Sequence, residues 1–239
     1  MRELDFQLLV FDWDGTLMDS VGPIVACTSA VIAELGLGEP DEAAIRGTVG
    51  LGLRETVDEL VPGCDDALYG TILACYRRHW VETFRDRPLL FPGVPEMLGE
   101  LARSGYLLAV ATGKSRRGLD YALDQTGLRG QFHATRTADE ALGKPHPQML
   151  LDLCGELGVR PAAAVMVGDS IYDLQMAAAA GARAVAVASG AHSREELAAY
   201  APLAFLDRIT ELPGWLAREI RRAAGTSQPA GAPPAAEAR

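Results

Sequence analysis

The chain has 239 residues, 49% of them hydrophobic, and a formal net charge of −10. That balance describes a globular protein with a substantial core. It argues against a nucleic-acid backbone or an anionic membrane surface as main partner, since both need clustered Lys and Arg. Acidity does not exclude a small phosphate substrate, because one bound cation and one lysine reverse the sign locally.

The first element is Leu8-Leu9-Val10-Phe11, an uninterrupted apolar run that reads as a short buried strand and leads into Asp12-Trp13-Asp14-Gly15. Ser20 to Leu37 carries apolar residues at helical spacing. Shorter helices are expected over Asp41 to Val49 and up to Leu60. A long one is expected from about Asp65 to Phe84. Gly50-Leu51-Gly52-Leu53 is a glycine-rich turn among them. With no strand signal between them, these four helices form an inserted module over residues 19–87.

From Pro88 the chain alternates strand and helix. Strands are expected at Tyr106 to Thr112, Phe132 to Thr137, Ala163 to Asp169 and Ala184 to Ala188, with a last edge strand at Ala204 to Leu206. Helices are expected at Val94 to Ser104, Arg117 to Gln125 and Gln148 to Leu157, then through Ala180 and after the capping box Ser193-Arg194-Glu195-Glu196. Such alternation means βαβ units and a parallel sheet. The fold class is therefore α/β, a Rossmann-like parallel sheet core (residues 1–18 and 88–222) with an inserted four-helix cap (19–87). The Ala-, Pro- and Gly-rich stretch 223–239 reads as a disordered tail.

Cys27, Cys64, Cys75 and Cys154 are scattered, without CxxC or zinc-ligand spacing, and read as buried thiols. Met1 to Asp5 lacks the basic start of a signal peptide, and no segment approaches the ~18 apolar residues of a membrane span. The expectation is a cytoplasmic protein. Its oligomeric state cannot be read from the pattern.

Three strong strands end on reactive residues: Asp12 and Asp14, Thr112, and Asp169, with Asp173 one helical turn beyond. Lys144 follows a weaker strand. Parallel strands bring their C-terminal ends to one edge, so these groups can share a crevice. The inventory suits phosphoryl transfer to a carboxylate. One aspartate acts as nucleophile and a second moves the proton. Mg2+ takes carboxylate and phosphate oxygens. A hydroxyl, a lysine and backbone N–H groups hold the phosphoryl oxygens. An EF-hand loop is excluded by Thr16 and Leu17, and a nucleotide P-loop by Leu108 where that motif needs Gly. Lys114 then reads as a solvated turn residue. Tyr69, Tyr76 and Trp80 read as helical-module core. Arg46, Arg54 and the Gly50 turn read as module surface, with a lesser expectation that one of them reaches the substrate.

Four motifs now stand in order: Asp12-Trp13-Asp14-Gly15-Thr16-Leu17, Ala111-Thr112-Gly113, Lys144-Pro145, and Gly168-Asp169-Ser170 with Asp173. Together they resemble the haloacid dehalogenase superfamily, over about residues 6 to 190. The helical insert, Asp19-Ser20, the Gly50 turn and Phe91-Pro92-Gly93 are similar to its phosphoglycolate phosphatase-like branch. The resemblance implies that Asp12 is the nucleophile and a Mg2+ ligand. Asp14 would be the general acid/base and offer its backbone carbonyl to the metal. Thr112 and Gly113 would bind the phosphoryl group, Lys144 would neutralise it and restrain Asp12, and Asp169 would ligate the metal. Asp173 would support the metal, through water or through Lys144. Dehalogenases lack the second aspartate, so Asp14 points to phosphate chemistry, and Thr16 favours a phosphatase over a mutase. The expected activity is hydrolysis of small phosphorylated metabolites through an aspartyl-phosphate, with a sugar-phosphate mutase or a pyrophosphatase as alternatives. A receiver-type phospho-acceptor domain also uses Asp, Thr, Lys and Mg2+, but its acidic pair precedes the acceptor by a whole strand and helix.

Overall fold

The computed structural model describes residues 6–84, 87 and 89–225. The N-terminal Met1 to Asp5, Pro88 and residues 226–239 of the expected tail lie outside the described residues.

Strand β1 (Leu8–Phe11) is buried at all four positions. Its alternate side chains feed two different layers, as the two-residue period of a strand requires. Leu9 and Phe11, with Trp13 just beyond, pack on one face among Val94, Leu98, Leu119 and Leu212. Leu8 and Val10 pack on the other among Met149, Leu150 and Met176. A strand covered on both faces has no use for polar residues, which is why the run is unbroken.

Five more strands complete the sheet: β2 (Leu107–Thr112), β3 (Ala134–Thr137), β4 (Ala164–Gly168), β5 (Arg183–Val187) and β6 (Phe205–Leu206). All pairs are parallel, and the order is β3-β2-β1-β4-β5-β6. The chain reverses direction across the sheet at β1, the topological switch where open α/β sheets bind ligands. The register is informative. Phe11 stands beside Val110 on β2 and Val167 on β4. Asp12, Thr112 and Asp169 therefore emerge within a residue or two of the same level. A receiver-type domain has the order 2-1-3-4-5. The observed order departs from it.

Four helices fall between β1 and the return of the chain: α1 (Val21–Glu34), α2 (Glu42–Gly47), α3 (Leu53–Leu60) and α4 (Asp66–Phe84). They carry their own apolar clusters, one around Val31, Val57, Ile72 and Cys75 and one around Val25, Ile32 and Ile45. Asp41 caps α2 by accepting from the Ala43 and Ala44 N–H groups. The two strands of chain that enter and leave this insert are stitched together. The Asp19 N–H donates to the Leu89 carbonyl at 2.6 Å, and the Phe91 N–H to the Leu17 carbonyl at 3.1 Å.

The sheet is flanked by α5 (Val94–Arg103), α6 (Arg116–Thr126), α7 (Gln148–Glu156), α8 (Ile171–Ala180), α9 (Arg194–Ala198) and α10 (Leu212–Gly225). The last was not expected. Pro213-Gly214 looks like a turn, yet proline is tolerated in a first helical turn. Leu212, Trp215 and Leu216 give α10 a buried stripe, and Trp215 stacks on Phe6 with centroids 6.3 Å apart. Ala223 to Gly225, placed in the tail by composition, are thus helical. All four cysteines are free and buried. No helix among the described residues is long and apolar enough to cross a membrane.

Trp13 is fully buried, edge-on to Phe132 at 6.3 Å, and donates its indole N–H toward the Met18 sulfur. Trp13→Ala is expected to lower the unfolding free energy by about 3–5 kcal/mol, the usual loss for a large core aromatic. Urea unfolding followed by circular dichroism checks this.

Candidate active site

The C-terminal ends of β1, β2 and β4 bring the expected residues to one place. Asp12 is 1% exposed at the end of β1, and its N–H donates to the Val167 carbonyl at 2.9 Å, which fixes its backbone to β4. Lys144, also 1% exposed, reaches in from the loop before α7. Its Nζ lies 2.8 Å from Asp12 Oδ1 and 2.6 Å from Asp173 Oδ1. Asp173 is the third residue of α8. Its other oxygen accepts from the Ser170 N–H at 3.1 Å and hydroxyl at 2.7 Å, closing a capping box at the start of that helix.

Asp169 follows β4. Its Oδ1 accepts the Thr16 hydroxyl at 2.7 Å and its Oδ2 the Ala191 N–H at 2.8 Å. Backbone crowds it closely. A Cβ on Gly15 would fall 2.3 Å from Asp169 Oδ2, and Gly15 has φ +79, so glycine is required there on both counts. One oxygen from each of Asp12, Asp169 and Asp173 lies within 4.8 Å of the others, and all three residues are buried.

Three carboxylates facing one ammonium leave a deficit of positive charge. Burial pushes Asp12 well above the ordinary carboxylate range. Lys144 opposes this, while Asp173 and Asp169 add to it. Burial and then Asp173 push Asp169 up to about 7, against the hydrogen bonds from Thr16 and Ala191. Burial alone would pull Lys144 down, but the charges of Asp12 and Asp173 outweigh it and hold it above the ordinary lysine value.

Asp14 faces elsewhere. Its Oδ1 accepts the Ser20 hydroxyl at 2.5 Å and pairs with Lys114 Nζ at 2.9 Å. Two carboxylates spaced i, i+2 thus have separate partners. The solvated-turn reading of Lys114 is therefore corrected. Its side chain is 16% exposed and lies over the Trp80 ring of α4, 5.4 Å from the centroid. Thr112 is fully buried, and its hydroxyl oxygen accepts the Lys114 N–H at 3.2 Å.

The insert sits directly on this site. A Cβ on Gly113 would fall 2.2 Å from the Leu51 carbonyl oxygen, so the Gly50 turn closes onto the residue after Thr112. The Tyr172 hydroxyl donates to the Gly47 carbonyl at 2.8 Å, and Val49 packs with Ala191. Of the insert residues singled out in the sequence, the Gly50 turn reaches the site. Arg54 is turned to Asp58 and Asp66, and Arg46 is exposed on α2. Trp80 stacks with Tyr76 on α4 and also meets the core through Lys114. Thr16, Ser20, Ser170 and Ala191 contribute hydrogen bonds to the acidic residues that the sequence reading had not assigned them. Ser20 carried a local signal, as a polar residue opening a helical pattern, and so did Ser170, three residues before Asp173 at capping-box spacing.

Comparison with known proteins shows the family. A family model described as haloacid dehalogenase-like hydrolase matches residues 9–187. A protein of Dickeya dadantii named "Probable phosphatase IndB" is 35% identical, over 87% of this chain and 92% of its own length. A phosphoglycolate phosphatase of Mesorhizobium japonicum is 31% identical, over 91% of this chain and 98% of its own. The crystal structure of a hydrolase from Pseudomonas syringae shares the fold, with a TM-score of 0.81 at 22% identity over 89% of this chain and 98% of its own. The chain belongs to the haloacid dehalogenase-like hydrolase family, as one of its phosphoric monoester hydrolases.

Proposed function

We propose that this protein is a Mg2+-dependent phosphatase of small, phosphoglycolate-like phosphomonoesters that works through an aspartyl-phosphate on Asp12. The observation that carries the reading is the state of Asp12. Its carboxylate is buried at the switch point of the sheet, and Oδ2 accepts no hydrogen bond from any described residue. An orphaned buried carboxylate oxygen among two further carboxylates is costly. A hard divalent cation with oxygen ligands is what such a donor set suits. Asp12, Asp169 and the backbone carbonyl of Asp14 would hold Mg2+, with Asp173 beside it. Bound there, it supplies the positive charge that lets a carboxylate approach a phosphate dianion.

The chain's own residues do the rest. Asp12 attacks phosphorus and the ester bond breaks. Asp14, held by Ser20 and Lys114, hands a proton to the departing oxygen. It then takes one from the water that hydrolyses the acyl phosphate. The Thr112 hydroxyl, the Gly113 N–H and the Lys144 ammonium receive the phosphoryl oxygens. Asp173 keeps Lys144 charged and pointed at Asp12. The insert, residues 19–87, acts as the cap. It closes through the Gly50 turn and excludes bulk water from the intermediate, with the stitched segments at Leu17–Asp19 and Leu89–Phe91 as hinge. A small substrate fits this closed arrangement, in which insert backbone already touches Gly113. The reading places the protein in the cytoplasm and gives it no nucleic-acid or membrane partner.

Asp12→Asn is expected to abolish Mg2+-dependent phosphate release, by roughly 10⁴-fold or more for a lost nucleophile, with an unchanged circular dichroism spectrum. Retained turnover would sink the mechanism. A panel of phosphorylated metabolites, read by phosphate release, tests the substrate class. A sugar-phosphate product without free phosphate would favour the mutase alternative.

Metal binding has a pH signature. Asp169 sits at about 7 when folded against an ordinary 3.8. Between those values Asp169 keeps a proton in the folded chain that it gives up in the unfolded one, so this group's contribution to the stability of the metal-free protein falls as pH rises through that window. Mg2+ binds only the ionised carboxylates, so its stabilising effect grows over the same range. At about a hundredfold its Kd the ion contributes about 2.7 kcal/mol, or roughly 5–10 °C in Tm for a chain of this size. Thermal melts with EDTA and with Mg2+ are expected to show that gain at pH about 8 and little of it at pH about 5.

A further inference from the structure

Lys114 lies outside the four motifs, yet it is the cation that joins the core to the insert beside the reacting groups. Its N–H bonds Thr112 Oγ1, its carbonyl accepts the Ala138 N–H at 3.1 Å, and its ammonium pairs with Asp14 2.9 Å away under the face of Trp80. Backbone ties on both sides and a ring above leave the side chain little freedom. An ammonium has three donors, and Asp14 takes one. Two donors remain on an ammonium that stands beside Asp14, the residue that meets the leaving oxygen in the proposed reaction. Two other cations singled out in the chain are already engaged. Lys144 is buried between Asp12 and Asp173, and Arg54 is held by Asp58 and Asp66.

We propose that Lys114 is a specificity-determining residue of this site, recognising a carboxylate carried on the leaving group of a short phosphomonoester. This deepens the phosphatase reading and rests on it. A group within hydrogen-bond reach of Lys114, about 3 Å, is also a near neighbour of the oxygen that Asp14 protonates. The carboxylate must therefore stand only a few bonds beyond the ester oxygen. The ammonium already faces Asp14, so it suits a single further charge such as a carboxylate's. A second phosphate would bring two charges to it in a site already short of positive charge. Half-shielded from water, the pair is stronger than an exposed one, and the cation–π contact with Trp80 keeps the ammonium in place as the substrate enters.

The test compares 2-phosphoglycolate with ethyl phosphate, which keeps the two-carbon ester and lacks the carboxylate, in the full chain with Mg2+. Lys114→Met keeps the length of the side chain and removes its charge. Its KM for 2-phosphoglycolate is expected to rise about 10–100-fold more than its KM for ethyl phosphate, the range for losing a charged hydrogen bond. Lys114→Arg keeps the charge and is expected to keep the preference for the acidic ester. Thermal melts of both variants establish that they fold. An equal loss on the two esters, falling in kcat, would overturn the inference and leave Lys114 as a positioning residue for Asp14. Unchanged selectivity would overturn it as well. Failure of the wild-type protein to release phosphate from either ester or from p-nitrophenyl phosphate would instead remove the phosphatase reading, and this inference with it.

Discussion

Everything in this structure depends on keeping three carboxylates and one lysine out of water at one point. Asp12, Asp169 and Asp173 would repel one another strongly in the dry space where they meet, and Lys144 answers only part of that repulsion. The fold holds them there regardless. β1 and β4 are paired in register, α8 begins with a capping box that uses Asp173, and Thr16 and the Ala191 N–H pin Asp169. A small apolar β-sheet covered on both faces supplies the rigidity. The repulsion within the cluster is offset by burial of Leu8 to Phe11 and their neighbours, and the cluster carries more negative than positive charge.

The second carboxylate of the opening motif is treated differently, and the two aspartates have separate partners. Asp12 sees Lys144 and the other carboxylates. Two residues on, Asp14 sees Ser20 and Lys114. Ser20 immediately precedes α1, and Lys114 touches Trp80 of α4, so the insert has a hand on Asp14 from both ends. The Gly50 turn adds a third contact, backbone to backbone, at Gly113. The insert and Asp14 are therefore structurally linked. Under the proposed mechanism that link would shield the covalent intermediate from stray water until Asp14 is in place.

Much of this was legible in the chain. Unbroken apolar runs ending on Asp12, Thr112 and Asp169 gave the parallel sheet, because strands buried on both faces admit no polar interruption. Helical spacing without strand signals marked α1 to α4 as an insert. The expected helix and strand bounds differ from the observed ones by a few residues at their ends, where capping rather than periodicity decides. Helix α10 was missed because Pro213-Gly214 masks a stripe that starts inside the same turn. Lys114 was misread because its partners, Asp14 and Trp80, lie 100 residues before it and 34 before it, and no spacing links them.

The sequence by itself settled which groups are present and at which strand ends they emerge, since local periodicity and turn chemistry act over a few residues. From that alone came the α/β class and the carboxylates at the strand ends, while the four motifs were read through the family they resemble. Which groups pair with which was decided only by the tertiary structure. Strand order and register set the distances of Asp12 to Lys144, of Thr16 to Asp169 and of Leu51 to Gly113, and these join residues dozens to more than a hundred positions apart. A pairing of that kind depends on how whole layers pack, and nothing in the spacing of one segment carries it.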